Sequence, residues 1–193
     1  MGLATFKGGV HPYEGKELSE NKPTQILMPK GEMVYPMSQH IGAPAAPLVK
    51  KGDRVLAGQK IGEASGFISA NVICSVSGTV KAVEPRRVAN GAMANAVVVE
   101  NDGEYQTVDG LGADRDPSKL SKQEIRDIVK EAGIVGLGGA GFPTHVKLTP
   151  KDEGSIEYVL VNGAECEPYL TSDYRLMMEE PEKLVGGLKV ILQ

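Results

Sequence analysis

At 193 residues, with 41% hydrophobic and 24% charged side chains, the chain suits one or two globular domains. A net charge of −4 gives no support to a general affinity for nucleic acid, and no stretch approaches the roughly 20 apolar residues of a membrane span. Two cysteines cannot supply the four ligands of an iron–sulfur cluster; with no apolar leader at the start, a cytosolic chain with reduced thiols is expected.

Residues 1–25 are polar and broken by Gly8, Gly9, Pro12, Gly15 and Pro23, which predicts an extended arm lying on a neighbour, with His11 a surface histidine. Residues 26–100 read as short strands. Ile26-Leu27-Met28 and Met33-Val34-Tyr35 are apolar runs ended by Pro29 and Pro36, and Pro44 and Pro47 exclude a helix between Ile41 and Leu48. Further candidates are Val49–Val55, Ala57–Gly62, Val76–Val83 and Ala96–Glu100. Turn residues recur about every ten positions, the pattern of a small all-β unit. The run Val49-Lys50-Lys51-Gly52-Asp53-Arg54-Val55 through Ile61-Gly62, followed by Val76-Ser77-Gly78-Thr79-Val80, resembles the biotinyl/lipoyl carrier fold, a flattened β-barrel. Residues 61–80 hold no lysine, and Phe67 stands near where a carrier lysine would be, so the resemblance extends to the fold and not to a covalent cofactor. His40 is expected to be a hydrogen-bonded turn residue, a ligand role being the alternative.

Residues 101–117 are polar and read as a linker. Ser121 and Glu124 form a capping box, and Ile125, Ile128, Val129 and Ala132 share one helical face, with Gly133 suited to the C-terminal cap. The helix feeds into Ile134–Leu148, where Gly136, Gly138, Gly139 and Gly141 leave main-chain N–H groups bare enough to cradle a phosphate. Pro143 suits a first helical turn that would strengthen the cradle, and Lys147 is within reach of a bound anion. The spacing Gly136-x-Gly138-x-x-Gly141 matches a dinucleotide fingerprint literally, but a helix precedes it where that fingerprint needs a strand; a ligand-free connection is the bland alternative. Tyr158–Val161 reads as a buried strand running into Asn162-Gly163-Ala164-Glu165-Cys166-Glu167-Pro168. Its two carboxylates suit hydroxyl recognition at a strand end, against the alternative of a solvated acidic turn. Cys166 is expected to be packed rather than catalytic, because adjacent carboxylates raise a thiol pKa. Leu184, Val185, Leu188, Ile191 and Leu192 share the face of a last helix, whose apolar stripe still runs at Gln193.

Five stretches, in order, resemble the C subunit of the Rnf electron-transport complex: Phe6–Pro12, Gln39–Pro44, Ser69–Val72, Gly136–Thr144 and Asn162–Thr171. The last two also resemble the flavin-binding subunit of respiratory complex I, with Leu137, Ala164 and His145 standing where that relative has arginine, aspartate and glycine. The resemblance implies a mixed α+β and α/β chain: an arm (1–25), a lipoyl-like barrel or barrel-sandwich hybrid (26–100), a linker (101–117) and the first part of an FMN- and NADH-binding α/β domain (118–193). It implies that Gly136, Gly138, Gly139, Ala140 and Gly141 line flavin and nucleotide phosphates. Phe142 would flank a nucleotide ring, and Lys147 would meet a phosphate or flavin oxygen. Asn162, Glu165 and Glu167 would bind hydroxyl or amide groups. No side chain is expected to act as nucleophile, base or metal ligand. The cofactors implied are FMN, NADH as substrate, and 4Fe-4S clusters beyond residue 193, so that this stretch alone would be inactive. The partners implied are the other Rnf subunits, at the cytoplasmic face of a bacterial membrane. A corrinoid reductase of the same architecture, a non-catalytic subunit-docking module and a carrier protein are the competing readings.

Overall fold

The computed structural model describes residues 8–193. Phe6 and Lys7 of the first motif, and the rest of residues 1–7, lie outside the described residues. The chain divides into two compact units, Leu27–Ile156 and a second that joins the N-terminal stretch through Ile26 to Glu157–Leu192. This division differs from the sequence expectation at both ends of the glycine region. Residues 118–156 group with the barrel, and residues 157–192 group with the N-terminal arm.

In the first unit, β1 (Glu32–Pro36), β7 (Met93–Asn101), β6 (Gly78–Arg87) and β3 (Arg54–Val55) form one antiparallel sheet in that order. A second sheet has the order β2 (Ala46–Pro47), β4 (Lys60–Glu63), β5 (Val72–Ile73). Valines at 80, 97, 98 and 99 fill buried positions of the long strands, where their stiff β-branched side chains pack well on a pleated surface. Tyr35, Met37, Val55, Ile61, Val72, Cys74, Val76, Val80, Val97 and Val99 make the core. Gly78 admits no side chain, since a Cβ there would lie 2.1 Å from the Glu100 carbonyl oxygen. The β4–β5 connection carries Phe67, its side chain exposed, at the place a carrier lysine would occupy.

Two local expectations fail here. Ile26-Leu27-Met28 forms no strand, and Ile26 and Leu27 are 90% and 91% exposed. An apolar run followed by Pro29 has lost a ladder donor and finds no strand edge to join. The stretch expected as a linker is stitched to the barrel at its start. Thr107 bridges Ala57, Ala57 N–H donates to the Gln106 carbonyl at 2.9 Å, and Ser77 Oγ donates to Asp102 at 2.7 Å. The Ala57–Gln106 bond satisfies backbone groups that a free linker would leave to water.

α1 (Lys122–Glu131) begins as expected, with the Ser121–Glu124 capping box formed, and Gly133 takes φ +65 just past its end. Ile125 is its one buried apolar residue. α2 (Thr144–Lys147) follows Pro143 but runs only one turn, so the expected reinforcement from a helix N-terminus is absent and the cradle consists of the loop itself.

In the second unit, α3 (Ser172–Glu179) and α4 (Pro181–Ile191) follow an irregular segment. Tyr158–Val161 is not a buried strand. Tyr158 and Leu160 are 81% and 91% exposed, and the segment joins no ladder among the described residues. Apolar content disposes a segment to a sheet interior, but a strand forms only against an edge that pairs its backbone. The last helix forms, yet its stripe of Leu184, Val185, Leu188 and Ile191 is not buried within this unit. No helix among the described residues is long and apolar enough to cross a membrane.

Candidate functional site

Two clusters of expected site residues are assembled, one in each unit. In the first, Gly136 N–H donates to the Phe142 carbonyl at 2.9 Å and Val135 bridges Pro143, closing residues 136–142 into a tight excursion. Gly139 (φ +146) and Gly141 (φ +61) hold backbone conformations that L side chains rarely adopt. A Cβ at Gly138 or Gly139 would meet no heavy atom, so the tip is open. Among the described residues the N–H groups of Leu137, Gly138, Gly139, Ala140, Gly141 and Phe142 donate to no protein acceptor. Lys147 closes the other side. Its ammonium nitrogen lies 2.7 Å from where a Cβ of Gly136 would stand, so the cation lies against the start of the loop. A run of free donors beside a cation is a site for an anion, with the donors fixed before the ligand arrives.

The barrel holds this loop through residues whose role was not legible beforehand. Ile41 N–H donates to the Ala140 carbonyl at 3.1 Å, and Gly141 sits so close to Gln39 that a Cβ would fall 2.8 Å from its carbonyl oxygen. Asn71 donates from Nδ2 to the Lys130 and Glu131 carbonyls, both at 3.3 Å, satisfying the Glu131 acceptor at the end of α1 and adding to the Gly133 N–H bond already on Lys130. His40 is buried, with Nε2 3.1 Å from both the N–H and the carbonyl oxygen of Ala70 and Nδ1 3.2 Å from the Ile41 carbonyl oxygen. It is the hydrogen-bonded turn residue expected. The Gln39–Pro44 and Ser69–Val72 motifs thus fasten α1 and the glycine loop to the barrel.

His145 is buried beside this fastening, facing the Phe67 carbonyl. Loss of solvent pulls its imidazole pKa below the ordinary value, against the pull of that carbonyl. A depressed folded-state pKa means that the unfolded chain takes up the proton first. Stability should therefore fall as pH drops below about 6.5, the unfolded value of histidine. A series of urea melts from pH 7.5 downward checks this, and His145→Gln should remove the part of the slope that begins near that pH.

In the second unit the acidic turn folds onto α3. Glu165 Oε1 accepts from the N–H groups of Asp173 at 2.8 Å and Tyr174 at 3.1 Å, capping a helix whose own N-cap residue Thr171 provides no side-chain bond. Asn162 Oδ1 accepts from Ala164 N–H at 3.0 Å, and Gly163 packs on Met177 so closely that a Cβ would lie 2.9 Å from its sulfur. Glu167 is exposed, and its carboxylate faces the Cys166 thiol. Hydrogen bonding to Glu167 pushes that thiol pKa up, as expected from the sequence, but Cys166 is exposed rather than packed; both cysteines are free thiols. The N-terminal arm reaches this turn. Lys16 Nζ donates to the Leu170 carbonyl at 2.9 Å and the Glu167 carbonyl at 3.3 Å, and Tyr169 N–H donates to the Glu14 carbonyl at 2.6 Å.

Known proteins resemble both halves of the chain. Residues 4–104 match the family model described as the RnfC barrel sandwich hybrid domain, and residues 129–193 match the Nuo51 FMN-binding domain. The chain is 44% identical over 191 residues to the C subunit of the proton-translocating ferredoxin:NAD(+) oxidoreductase complex of Clostridium ljungdahlii, covering 99% of this chain and 42% of that protein. It is 46% identical over 198 residues to the C subunit of the Na(+)-translocating ferredoxin:NAD(+) oxidoreductase complex of Acetobacterium woodii, covering 98% of this chain and 43% of that protein. The C subunit of an ion-translocating oxidoreductase complex of Rhodobacter capsulatus is 39% identical over 97% of the chain and 36% of its own length. The chain thus spans about two fifths of the length of the first two relatives. A barrel of two antiparallel sheets that bears a glycine-rich loop, and a match that takes in residues 4–104 of 193, place the chain in the RnfC family.

Proposed function

We propose that this chain holds the FMN- and NADH-binding part of the C subunit of an ion-translocating ferredoxin:NAD⁺ oxidoreductase, peripheral at the cytoplasmic face of a bacterial membrane and assembled with the other Rnf subunits. One observation carries the reading: six consecutive N–H groups, Leu137 to Phe142, without a protein acceptor, beside the Lys147 ammonium. That donor set fits a flavin phosphate in charge and in number of donors, and the absence of side chains at 138 and 139, where nothing lies within 4 Å, lets the phosphate approach the main chain. Bound flavin supplies hydride acceptance and the division of an electron pair for 4Fe-4S clusters held elsewhere in the full-length protein.

The protein's part is binding and orientation. Gly136, Gly138, Gly139, Ala140 and Gly141 supply the cradle. Lys147 neutralises phosphate charge, and Phe142 flanks a ring. In the acidic turn, Glu167 and the Nδ2 group of Asn162 take hydroxyl or amide groups. Glu165, with one oxygen committed to α3, holds the turn in shape and has its second oxygen for a hydroxyl. Carboxylates accept from sugar hydroxyls where phosphates would be repelled, so cradle and acidic turn suit ligand groups of different charge.

Titrating the protein with FMN and following the quenching of flavin fluorescence tests this. Lys147→Ala should weaken binding about tenfold, the loss of one charge-assisted bond. Gly139→Val should abolish saturable binding, because a β-branched residue cannot hold φ +146. Wild-type affinity in both variants, or no saturation by the wild type, would overturn the reading and favour a docking module.

A further inference from the structure

We propose that the N-terminal arm, Tyr13 to Ser19, is a positioning element for the acidic turn and so sets the affinity for the dinucleotide; this rests on the reading of Glu167 as a hydroxyl acceptor. The arm holds main-chain atoms on the C-terminal side of that residue. Lys16 bonds the carbonyls of Glu167 and Leu170, and Ser19 Oγ meets the Thr171 hydroxyl at 2.9 Å and the Tyr169 carbonyl at 3.4 Å. Tyr169, between them, has φ +67. A bulky residue keeps that conformation only where its surroundings enforce it, and such enforcement is concentrated at ligand sites.

The enforcing surroundings come from the arm. Glu14 accepts the Tyr169 N–H, and the Tyr13 ring stands edge-on to the Tyr169 ring, with centroids 6.1 Å apart and planes at 77°. Gly15, buried and itself at φ +61, lies under the ring, and a Cβ there would fall 2.3 Å from it. The Lys16 cation is committed to carbonyl oxygens and makes no ion pair with Glu165 or Glu167 among the described residues, so it does not cover the Glu167 carboxylate or the second oxygen of Glu165. Just past the arm, Arg175 Nη1 donates to the Glu20 carbonyl at 3.0 Å, a side-chain bond that reaches none of the residues from Asn162 to Leu170.

The test uses the assembled complex, with NADH-dependent reduction of ferricyanide as the assay. Lys16→Met should raise KM for NADH about tenfold, one charged hydrogen bond's worth of orientation, with kcat within about twofold. Lys16→Arg should restore most of the loss. Arg175→Met, which loosens the arm away from the turn, should lower the melting temperature and leave KM unchanged. Glu167→Gln probes the underlying reading and should also raise KM. If Glu167→Gln raises KM and Lys16→Met does not, the arm's role is refuted and the hydroxyl-acceptor reading stands. If neither changes KM, both are refuted. Equal KM defects in Lys16→Met and Arg175→Met make the arm mere scaffold and also refute the proposal. Should Lys16→Met fail to assemble, Ser19→Ala replaces it with the same expected direction.

Discussion

Gly133→Val should destabilise the first unit by about 3 kcal/mol or more and carry the FMN affinity down with it. Two costs add at this position. Gly133 ends α1 at φ +65, where a β-branched residue is strained by about 1–2 kcal/mol. Its Cβ would also stand 2.4 Å from the Asn71 carbonyl oxygen and 3.3 Å from Ile73 Cγ1. Asn71 cannot retreat, because Ala70 and Val72 on either side are buried and its own side chain is bonded to the last carbonyls of α1. The clash therefore lifts α1 from the barrel, and with it the loop that starts at Ile134. Urea unfolding gives the stability and flavin quenching the affinity. Gly133→Ala, with a smaller side chain, should fall between valine and the wild type. Wild-type stability in the valine variant would mean that the barrel and α1 are not fastened as described.

Ile61→Ala should cost about 2–5 kcal/mol, the range for removing a buried isoleucine down to alanine in a core that relaxes only partly. Ile61 is 0% exposed at the centre of β4 and belongs to the cluster with Val55, Val72, Val80, Val97 and Val99. The cost is large against the roughly 5–15 kcal/mol that holds an ordinary domain together. Ile61→Val, which removes one methylene, should cost about 0.5–1.5 kcal/mol. The two variants should shift the urea midpoint in that order without changing the slope, since neither alters the surface exposed on unfolding by much. A shift no larger for alanine than for valine would place Ile61 outside the packed core.

What the sequence revealed was what neighbours in sequence decide. The Ser121–Glu124 box and the Gly133 cap are local hydrogen-bond chemistry, and both formed. The strands around Tyr35, Val80 and Val98 follow from short apolar runs bounded by turn residues, and their turns from glycine and proline. The glycine loop was legible as a run of bare main chain. The rest depends on partners far along the chain. Asn71 reaches α1 across about 60 residues, and nothing local to it announces that bond. Glu165 looked like a ligand carboxylate, and its bonds to Asp173 and Tyr174 show a helix cap built from eight and nine positions upstream. Tyr158–Val161 misled because hydropathy reports a preference for burial and says nothing about whether a sheet edge is present to receive it.

The second unit is made from two stretches about 150 residues apart, joined by contacts such as Lys16 with Glu167 and Thr24 with Glu179. A ribosome therefore delivers one half of it long before the other. The barrel lies between them in sequence and has all its strands by Asn101, so it can close while the opening residues still have nothing to bind. Order of assembly is thereby written into the layout: the barrel strands are complete before the N-terminal stretch can meet Glu157–Leu192.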